Sequence, residues 1–297
     1  MAKRIRKAVI PTAGLGTRFL PVTRSVPKAL LPVLQKPLIH YAIEEAAAAG
    51  IEEVIVVVNP GSESIAGYFD PQPELERMLK LRGRAAELEQ QIAITKIARV
   101  HAVPQHEARG LGDAVLMAQD YVKDEAFAVL LPDDVIWAQR PAIGQLIDVW
   151  DRHGGSVVAA KEVPDEAVEK LGIIAGKLVS GPVWNVTGLV EKPKLADAPS
   201  HMAIIGRYIL SPAVFDYLKE GRRGAGGEIQ LTDAIASRLN IEPVHACVFE
   251  GAHVDAGTPQ GMLAAAIFQA RKQPGYFETA RAMVEAAETG TAVRTGA

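Results

Sequence analysis

Short apolar runs set between glycine- and proline-rich turns dominate the first third of the chain. Lys7-Ala8-Val9-Ile10 is bounded by Pro11 and by the Gly14/Gly16 pair, the pattern of a buried strand closed by a tight turn. Pro37 then opens a helix through Leu38, Tyr41, Ala42 and Glu45, with proline in its favoured first turn and Gly50 placed for a left-handed C-terminal cap. Val54-Ile55-Val56-Val57-Val58 is β-branched throughout and lacks polar alternation, which marks a strand covered on both faces. Strand, helix and strand in this order predict a right-handed parallel crossover, and hence an α/β fold.

The stretch from about 65 to 90 changes character. It is rich in Glu, Leu, Arg and Ala, and Leu75, Met78, Leu79 and Leu88 fit a helical stripe, which predicts a helical insertion between two sheet strands. Further strands are predicted at 97–103, 127–131 and 156–160, followed by a β-rich region that includes 173–174, 177–179 and 183–190. Residues 231–239 read as helix, 244–249 as strand, and about 259–290 as a helical tail. No repeat, low-complexity segment or linker divides the chain, so one domain over 1–297 is expected.

Composition narrows the function. Of 297 residues, 48% are hydrophobic and 23% charged, which excludes a long disordered chain. Lys plus Arg (32) against Asp plus Glu (35) leaves a net charge of −3, so no global basic field exists to hold nucleic acid and any anion site must be local. Cys247 is the single cysteine, which excludes an internal disulfide framework and any multi-thiolate metal site; it reads as a buried, inert thiol. The basic start, Met1 to Lys7, is followed by only three apolar residues before Pro11, too few for a signal peptide, and no segment approaches a membrane span. A cytoplasmic protein without a membrane partner is expected. The seven histidines show no metal-binding spacing, and no serine–histidine–aspartate arrangement suggests a covalent mechanism.

Three segments hold candidate chemistry. Ala13-Gly14-Leu15-Gly16-Thr17-Arg18 follows the first strand, and its glycines let backbone N–H groups approach a phosphate. Phe19 stands where a dinucleotide fingerprint needs its third glycine, and no Gly-Lys-Ser/Thr triplet makes a Walker A loop. Arg18 and Lys28, the latter in Pro27-Lys28-Ala29-Leu30-Leu31-Pro32, add a forked and a mobile cation that suit a triphosphate. Leu130-Leu131-Pro132-Asp133-Asp134 sets a carboxylate just past a strand, where open α/β sheets bind ligands. Asp133 offers hard oxygen to Mg2+, and Asp255 is a candidate second ligand, with His253 two residues earlier on the surface or in support. Val190-Glu191-Lys192-Pro193 closes another apolar run, with Glu191 suited to sugar hydroxyls and Lys192 to a phosphate. Neighbours on a strand point to opposite faces, so this pair shares a site only if the strand ends or bulges there. Taken alone, each segment reads more simply as a tight turn with solvated cations, a cap or turn aspartate, or an exposed ion pair.

In their order along the chain these segments resemble the sugar-1-phosphate nucleotidyltransferases, and in particular their uridylyltransferase branch. The resemblance also rests on Lys36-Pro37-Leu38-Ile39, Ala49-Gly50-Ile51, the insertion from Phe69-Asp70 to Met78-Leu79, and Gln105 with Gly110-Leu111-Gly112. Ile205-Gly206-Arg207-Tyr208 and Gly227-Glu228-Ile229-Gln230-Leu231-Thr232-Asp233-Ala234 complete it, so that it spans nearly the whole chain. It implies a Rossmann-like α/β/α nucleotidyltransferase sandwich with a mostly parallel central sheet, a helical insertion and C-terminal helices. The implied reaction transfers the uridylyl group of UTP to glucose 1-phosphate, with Mg2+ as cofactor, in a homodimer or homotetramer. Residue by residue, it implies Arg18, Lys28 and Lys192 as catalytic cations and Asp133 and Asp255 as metal ligands. Ala13, Gly14, Gly16, Gln105 and Gly110 fall to the nucleotide, and Gly172, Glu191 and Gly206 to the sugar. Four departures from the family pattern are present: Ala29-Leu30 in place of Glu-Met after Lys28, Gln35 for a common aspartate, Asp113 for a common histidine, and Leu171 for a common aromatic. A dTTP- or other NTP-dependent sugar-1-phosphate transferase, a glycosyltransferase of similar architecture and a non-catalytic nucleotide-sugar-binding protein are the alternative readings.

Overall fold

In the computed structural model, which describes residues 4–289, the β-branched run at 54–58 is buried on both faces, as its composition predicts. Val54, Val56 and Val58 join an apolar cluster with Ile10, Ile39, Ile43 and Ile143, while Ile55 and Val57 join another with Val9, Val115, Phe215 and Leu231. Alternate residues thus feed two cores, one on each side of a sheet, and helices cover both. Each such side chain stabilises the fold by roughly 1.5–3 kcal/mol relative to exposure. Residues 1–3 and 290–297, with the start of the basic N-terminal run and the end of the expected tail, lie outside the described residues.

The strands in chain order are β1 (Lys7–Pro11), β2 (Pro32–Val33), β3 (Lys36–Pro37), β4 (Glu53–Val58), β5 (Arg99–Pro104), β6 (Phe127–Leu130) and β7 (Asp134–Trp137). They continue with β8 (Ser156–Glu162), β9 (Gly172–Ser180), β10 (Val183–Glu191), β11 (Met202–Leu210), β12 (Val244–Val248) and β13 (Ala252–Asp255). Nine of them form one sheet in the order β5-β4-β1-β6-β11-β8-β12-β10-β9. Only β10 and β11 run against the rest, so the sheet is mostly parallel in strand direction. The Leu38–Ala48 helix makes the predicted crossover from β1 to β4. Pro37 serves as its N-cap at the end of β3, one position before the first turn, because the β2–β3 ribbon holds it extended. Gly50, at φ +87°, donates to Ala47 O, and Ile51 donates to Ala46 O, the paired bonds of a Schellman cap.

The helical insertion comprises Ser64–Gly67, Pro73–Leu81 and Ala85–Thr95. It runs past residue 90, so β5 begins at Arg99 and not at 97. The tail forms two helices, Pro259–Ala270 and Tyr276–Thr289. Thr258 caps the first by accepting from Gly261 N at 3.0 Å, and Gln35 donates to Tyr276 Oη at 2.6 Å.

Among the elements that go beyond those the sequence predicted, three features shape the region of the site. β11 lies in the middle of the sheet although Gly206-Arg207 interrupts its apolar run. The Ala142–His153 helix covers one face with Ile143, Leu146 and Val149. The short ribbon β7–β13 pairs Asp134 with Asp255, and a small core of Val33, Leu38, Val135, Ala256 and Ala265 fixes it to the C-terminal helix.

Candidate active site

A cleft of about 590 Å3 opens where the parallel strands β1 and β6 end, the place where α/β sheets collect ligands. The chain leaves β1 at Pro11 and wraps around it through Ala13, Gly14, Gly16 and Arg18, all of which line the cleft. Gly16 is left-handed at φ +61°, and a Cβ on it would press on Thr23 Cγ2 at 3.0 Å and Lys28 Cβ at 3.2 Å. Gly14 instead faces open space. Thr23 Oγ1 donates to Gly16 O at 3.0 Å and fixes the turn. The Arg18 side chain is exposed and has no hydrogen-bond or ion-pair partner among the described residues.

Lys28 enters the same cleft and forms an ion pair with Asp133, which follows β6. Asp255 arrives from the end of β13. A Cβ built on Gly257 would lie 2.7 Å from Asp255 Oδ1, 3.0 Å from Asp133 Oδ2 and 3.5 Å from Lys28 Nζ, so all three groups converge on one point. Desolvation raises the Asp255 carboxyl above its ordinary range, and the nearby Asp134 and Asp133 raise it further, against the Gly257 N–H and Lys28. Two carboxylates crowded in this way fit a divalent cation. Mg2+ takes one or two carboxylates and fills its remaining positions with water and substrate phosphate.

Beneath Asp133 lies a buried polar network that the sequence did not reveal. The Arg207 guanidinium, 1% exposed, donates to Glu45 Oε2 at 2.8 Å, Asp134 O at 2.8 Å, and Leu131 O and Gly206 O at 2.9 Å each. Burial alone would raise the Asp134 carboxyl, but His253 Nε2 at 2.6 Å, Arg207 and the Gly206 N–H at 3.1 Å hold it below its ordinary range. A Cβ on Gly206 would strike the Asp134 carboxylate and lie 2.6 Å from Leu131 Cβ. Gly206 thus sits against the carboxylate loop and leaves room for it. Arg207, a charge inside an apolar run, and His253, two residues before Asp255, are the only sequence marks of this network.

Gln105 follows β5 and lines the far part of the cleft with Gly110. Gly110, at φ +115°, packs so closely on the Glu228–Ile229 backbone that a Cβ would lie 2.8 Å from Ile229 O. The Gln105 amide Nε2 donates to the buried Asp113 carboxylate at 2.7 Å, and Arg109 grips the same carboxylate at 2.7 and 3.1 Å.

Glu191 and Lys192 form a separate group with Gly172. Strand β10 ends at Glu191, and Lys192 takes a left-handed φ of +48°, which brings its Nζ to 3.4 Å from Glu191 Oε1. The strand end is what lets the two adjacent side chains share a side. Thr232 Oγ1 donates to Glu191 Oε2 at 2.6 Å, and a Cβ on Gly172 would touch both at 2.9 and 3.1 Å. The β9–β10 hairpin pairs with β11 at Ala203 on the edge that β6 occupies further along, at Arg207 to Leu210. It therefore sits just beyond the end of β6. Tyr208 is buried and feels both groups: burial, then Asp134 and Glu191, push its hydroxyl far up, so it stays neutral.

Eight of the expected residues line the first cleft: Ala13, Gly14, Gly16, Arg18, Lys28, Gln105, Gly110 and Asp133. Asp255 joins them at Gly257, Gly206 lies behind Asp134, and Gly172, Glu191 and Lys192 gather separately around Thr232 at the end of β10. A family model for nucleotidyl transferases matches residues 7–272. The UTP–glucose-1-phosphate uridylyltransferase of Staphylococcus epidermidis is 44% identical over 95% of this chain and 98% of its own, and that of Bacillus subtilis 45% identical over 88% and 89%. Among solved structures, a UTP-bound UDP-glucose pyrophosphorylase from Acinetobacter baumannii superposes with a TM-score of 0.85 at 34% identity, covering 95% of this chain and 99% of that one. A UDP-glucose pyrophosphorylase complexed with UDP-glucose gives 0.82 at 36%, covering 91% and 100%. With its turn, cations and carboxylates on one α/β sheet and with similarity of this extent, the chain belongs to the nucleotidyl transferase family, in the branch whose curated members are named UTP–glucose-1-phosphate uridylyltransferases.

Proposed function

We propose that this chain, acting as one domain, transfers the uridylyl group of UTP to glucose 1-phosphate, giving UDP-glucose and pyrophosphate, with Mg2+ as the metal. The observation that carries this reading is the meeting of Lys28, Asp133 and Asp255 around Gly257, in a cleft walled by the Gly14–Arg18 turn. The phosphate of glucose 1-phosphate is already anionic near neutral pH, so no general base is required to create the nucleophile. The barrier lies in bringing two polyanions together and stabilising charge on the α-phosphate and the departing pyrophosphate, a task for positioning and fixed cations. Arg18 and Lys28 bind the triphosphate, with the Ala13–Gly16 backbone turned toward it. Gln105 and Gly110 hold the base, Glu191 and Gly172 the sugar, and Lys192 the sugar phosphate. Asp133 and Asp255 would hold Mg2+, which when bound supplies Lewis-acid neutralisation of phosphate charge.

A pyrophosphate-release screen of nucleotides against sugar phosphates, with and without Mg2+, tests the reading. The pair UTP and glucose 1-phosphate should give the highest turnover, and absence of release from any pair overturns it. In the same assay Lys192→Ala should lose roughly 3 kcal/mol of transition-state stabilisation, a hundredfold or more in rate. Wild-type turnover in that variant removes Lys192 from the mechanism. The family resemblance adds a cytoplasmic homodimer or homotetramer, and the exposed apolar side chains of Leu263, Ile267 and Val284 on the C-terminal helices favour such an assembly, which light scattering tests.

A further inference from the structure

Asp113 and Gln105 are buried, at 1% and 4% exposure, and their hydrogen bonds follow from which atoms can donate. Arg109 reaches Asp113 Oδ1 through Nε at 3.1 Å and Nη2 at 2.7 Å, so Asp113 is a carboxylate held by a forked cation. The same contact raises the Arg109 guanidinium pKa further. A carboxylate only accepts. Gln105 therefore turns its NH2 group to Asp113 Oδ2, at 2.7 Å, and brings it within 3.3 Å of Gly110 O. Both amide hydrogens are taken up inside the protein, which leaves the carbonyl Oε1 as the polar atom that Gln105 presents to the cleft it lines.

We infer that Asp113 is a positioning residue for nucleobase selection: by fixing the Gln105 amide, it makes this part of the cleft an acceptor. An acceptor pairs with the ring N–H of uracil or thymine, whereas the corresponding ring nitrogen of cytosine is itself an acceptor and is repelled. The selection is thus between pyrimidines with and without that N–H, and it is indifferent to the methyl group that separates thymine from uracil. This rests on the uridylyl-transfer reading given above.

Asp113→Asn tests it, because an amide at 113 offers both a donor and an acceptor and frees Gln105 to turn either way. Arg109→Met is the second variant, since it removes the forked cation that holds the Asp113 carboxylate and so loosens the anchor of the Gln105 amide. The measurement is kcat/KM for UTP, dTTP and CTP by pyrophosphate release at saturating glucose 1-phosphate, with folding verified by circular dichroism. The ratio of UTP to CTP should fall by roughly tenfold or more in each folded variant, mainly through the nucleotide KM, while the ratio of UTP to dTTP holds. Equal losses for UTP and CTP mean that Asp113 only supports the fold, and that result overturns the inference, as does an unchanged ratio. If Asp113→Asn does not fold, Arg109→Met decides on the same criterion. Wild-type protein that releases no pyrophosphate from any nucleotide instead overturns the uridylyl-transfer reading, so the two failures are distinct.

Discussion

Replacing Glu45 with alanine leaves the Arg207 guanidinium inside the protein without its counter-ion. The two side chains are 1% and 8% exposed, joined at 2.8, 3.1 and 3.2 Å, and Glu45 Oε1 also accepts from Ile143 N at 2.9 Å. Removing one partner of such a pair typically costs 3–5 kcal/mol, a large share of the roughly 5–15 kcal/mol that holds a domain together. Urea unfolding should therefore show Glu45→Ala shifted by about that amount with an unchanged slope. The double variant Glu45→Leu/Arg207→Met separates stability from positioning. With both charges gone their desolvation vanishes, and stability should return to within about 2 kcal/mol of wild type. The carbonyls of Leu131 and Asp134, which flank Pro132-Asp133, nevertheless lose their donor. Asp133 is then held less firmly, and turnover should stay at least about tenfold down, in keeping with the rate cost of small misplacements. A destabilisation below about 1 kcal/mol in Glu45→Ala, or full turnover in the double variant, would refute this account of the network.

Gly257→Ala puts a methyl group among Asp255, Asp133 and Lys28 at a glycine whose φ is not left-handed, so stability should change by about 1 kcal/mol or less while turnover falls at least tenfold; a Mg2+ titration identical to wild type would speak against the site. Burial alone would raise the Glu44 carboxyl, yet hydrogen bonds from His40 and Lys36 bring it from 4.5 down to about 2. Its contribution is therefore full above pH 4.5 and lost as the pH falls toward 2, and because the side chain is 41% exposed it amounts to about 1 kcal/mol or less. Unfolding of wild type and Glu44→Gln should converge over that window, and a gap that persists at pH 2 contradicts the sign. Burial pushes the Cys247 thiol up to about 11, so Ellman's reagent at pH 8 should label it only after denaturation; prompt labelling of the native protein contradicts its burial.

The residues proposed for the site stood out in the sequence because each follows an apolar strand and breaks its pattern: the glycine turn and Arg18 after β1, Asp133 after β6, Lys192 after β10. What lies opposite each of them was not. Arg207 interrupts an apolar run, and its partner Glu45 is 162 positions away on a helix. Strands β7 and β13 have four residues each, too short for periodicity, yet their pairing sets Asp255 beside Asp134. Gly206 was grouped with the sugar from the resemblance. Its contacts are with Asp134 and Leu131, a close approach that no local pattern announces. The role of Asp113 likewise depends on Arg109 one helical turn before it and on Gln105 across the loop.

A site for two polyanions in a chain of net charge −3 depends on where single cations are held. Lys28 is paired with Asp133, and Lys192 with Glu191 at 3.4 Å. A lysine has four rotatable bonds and left to itself extends into water; a carboxylate partner restrains its ammonium and so reduces the ordering that binding an anion there would have to supply. Among the described residues Arg18 has no such partner, and its planar donors are already arranged in a fork. The carboxylates are positioned in turn by the β7–β13 ribbon and by the Arg207 network, both anchored in the core. Charge placement at the surface of the cleft is thus fixed from within, by buried polar contacts that cost too much to break for the site to drift.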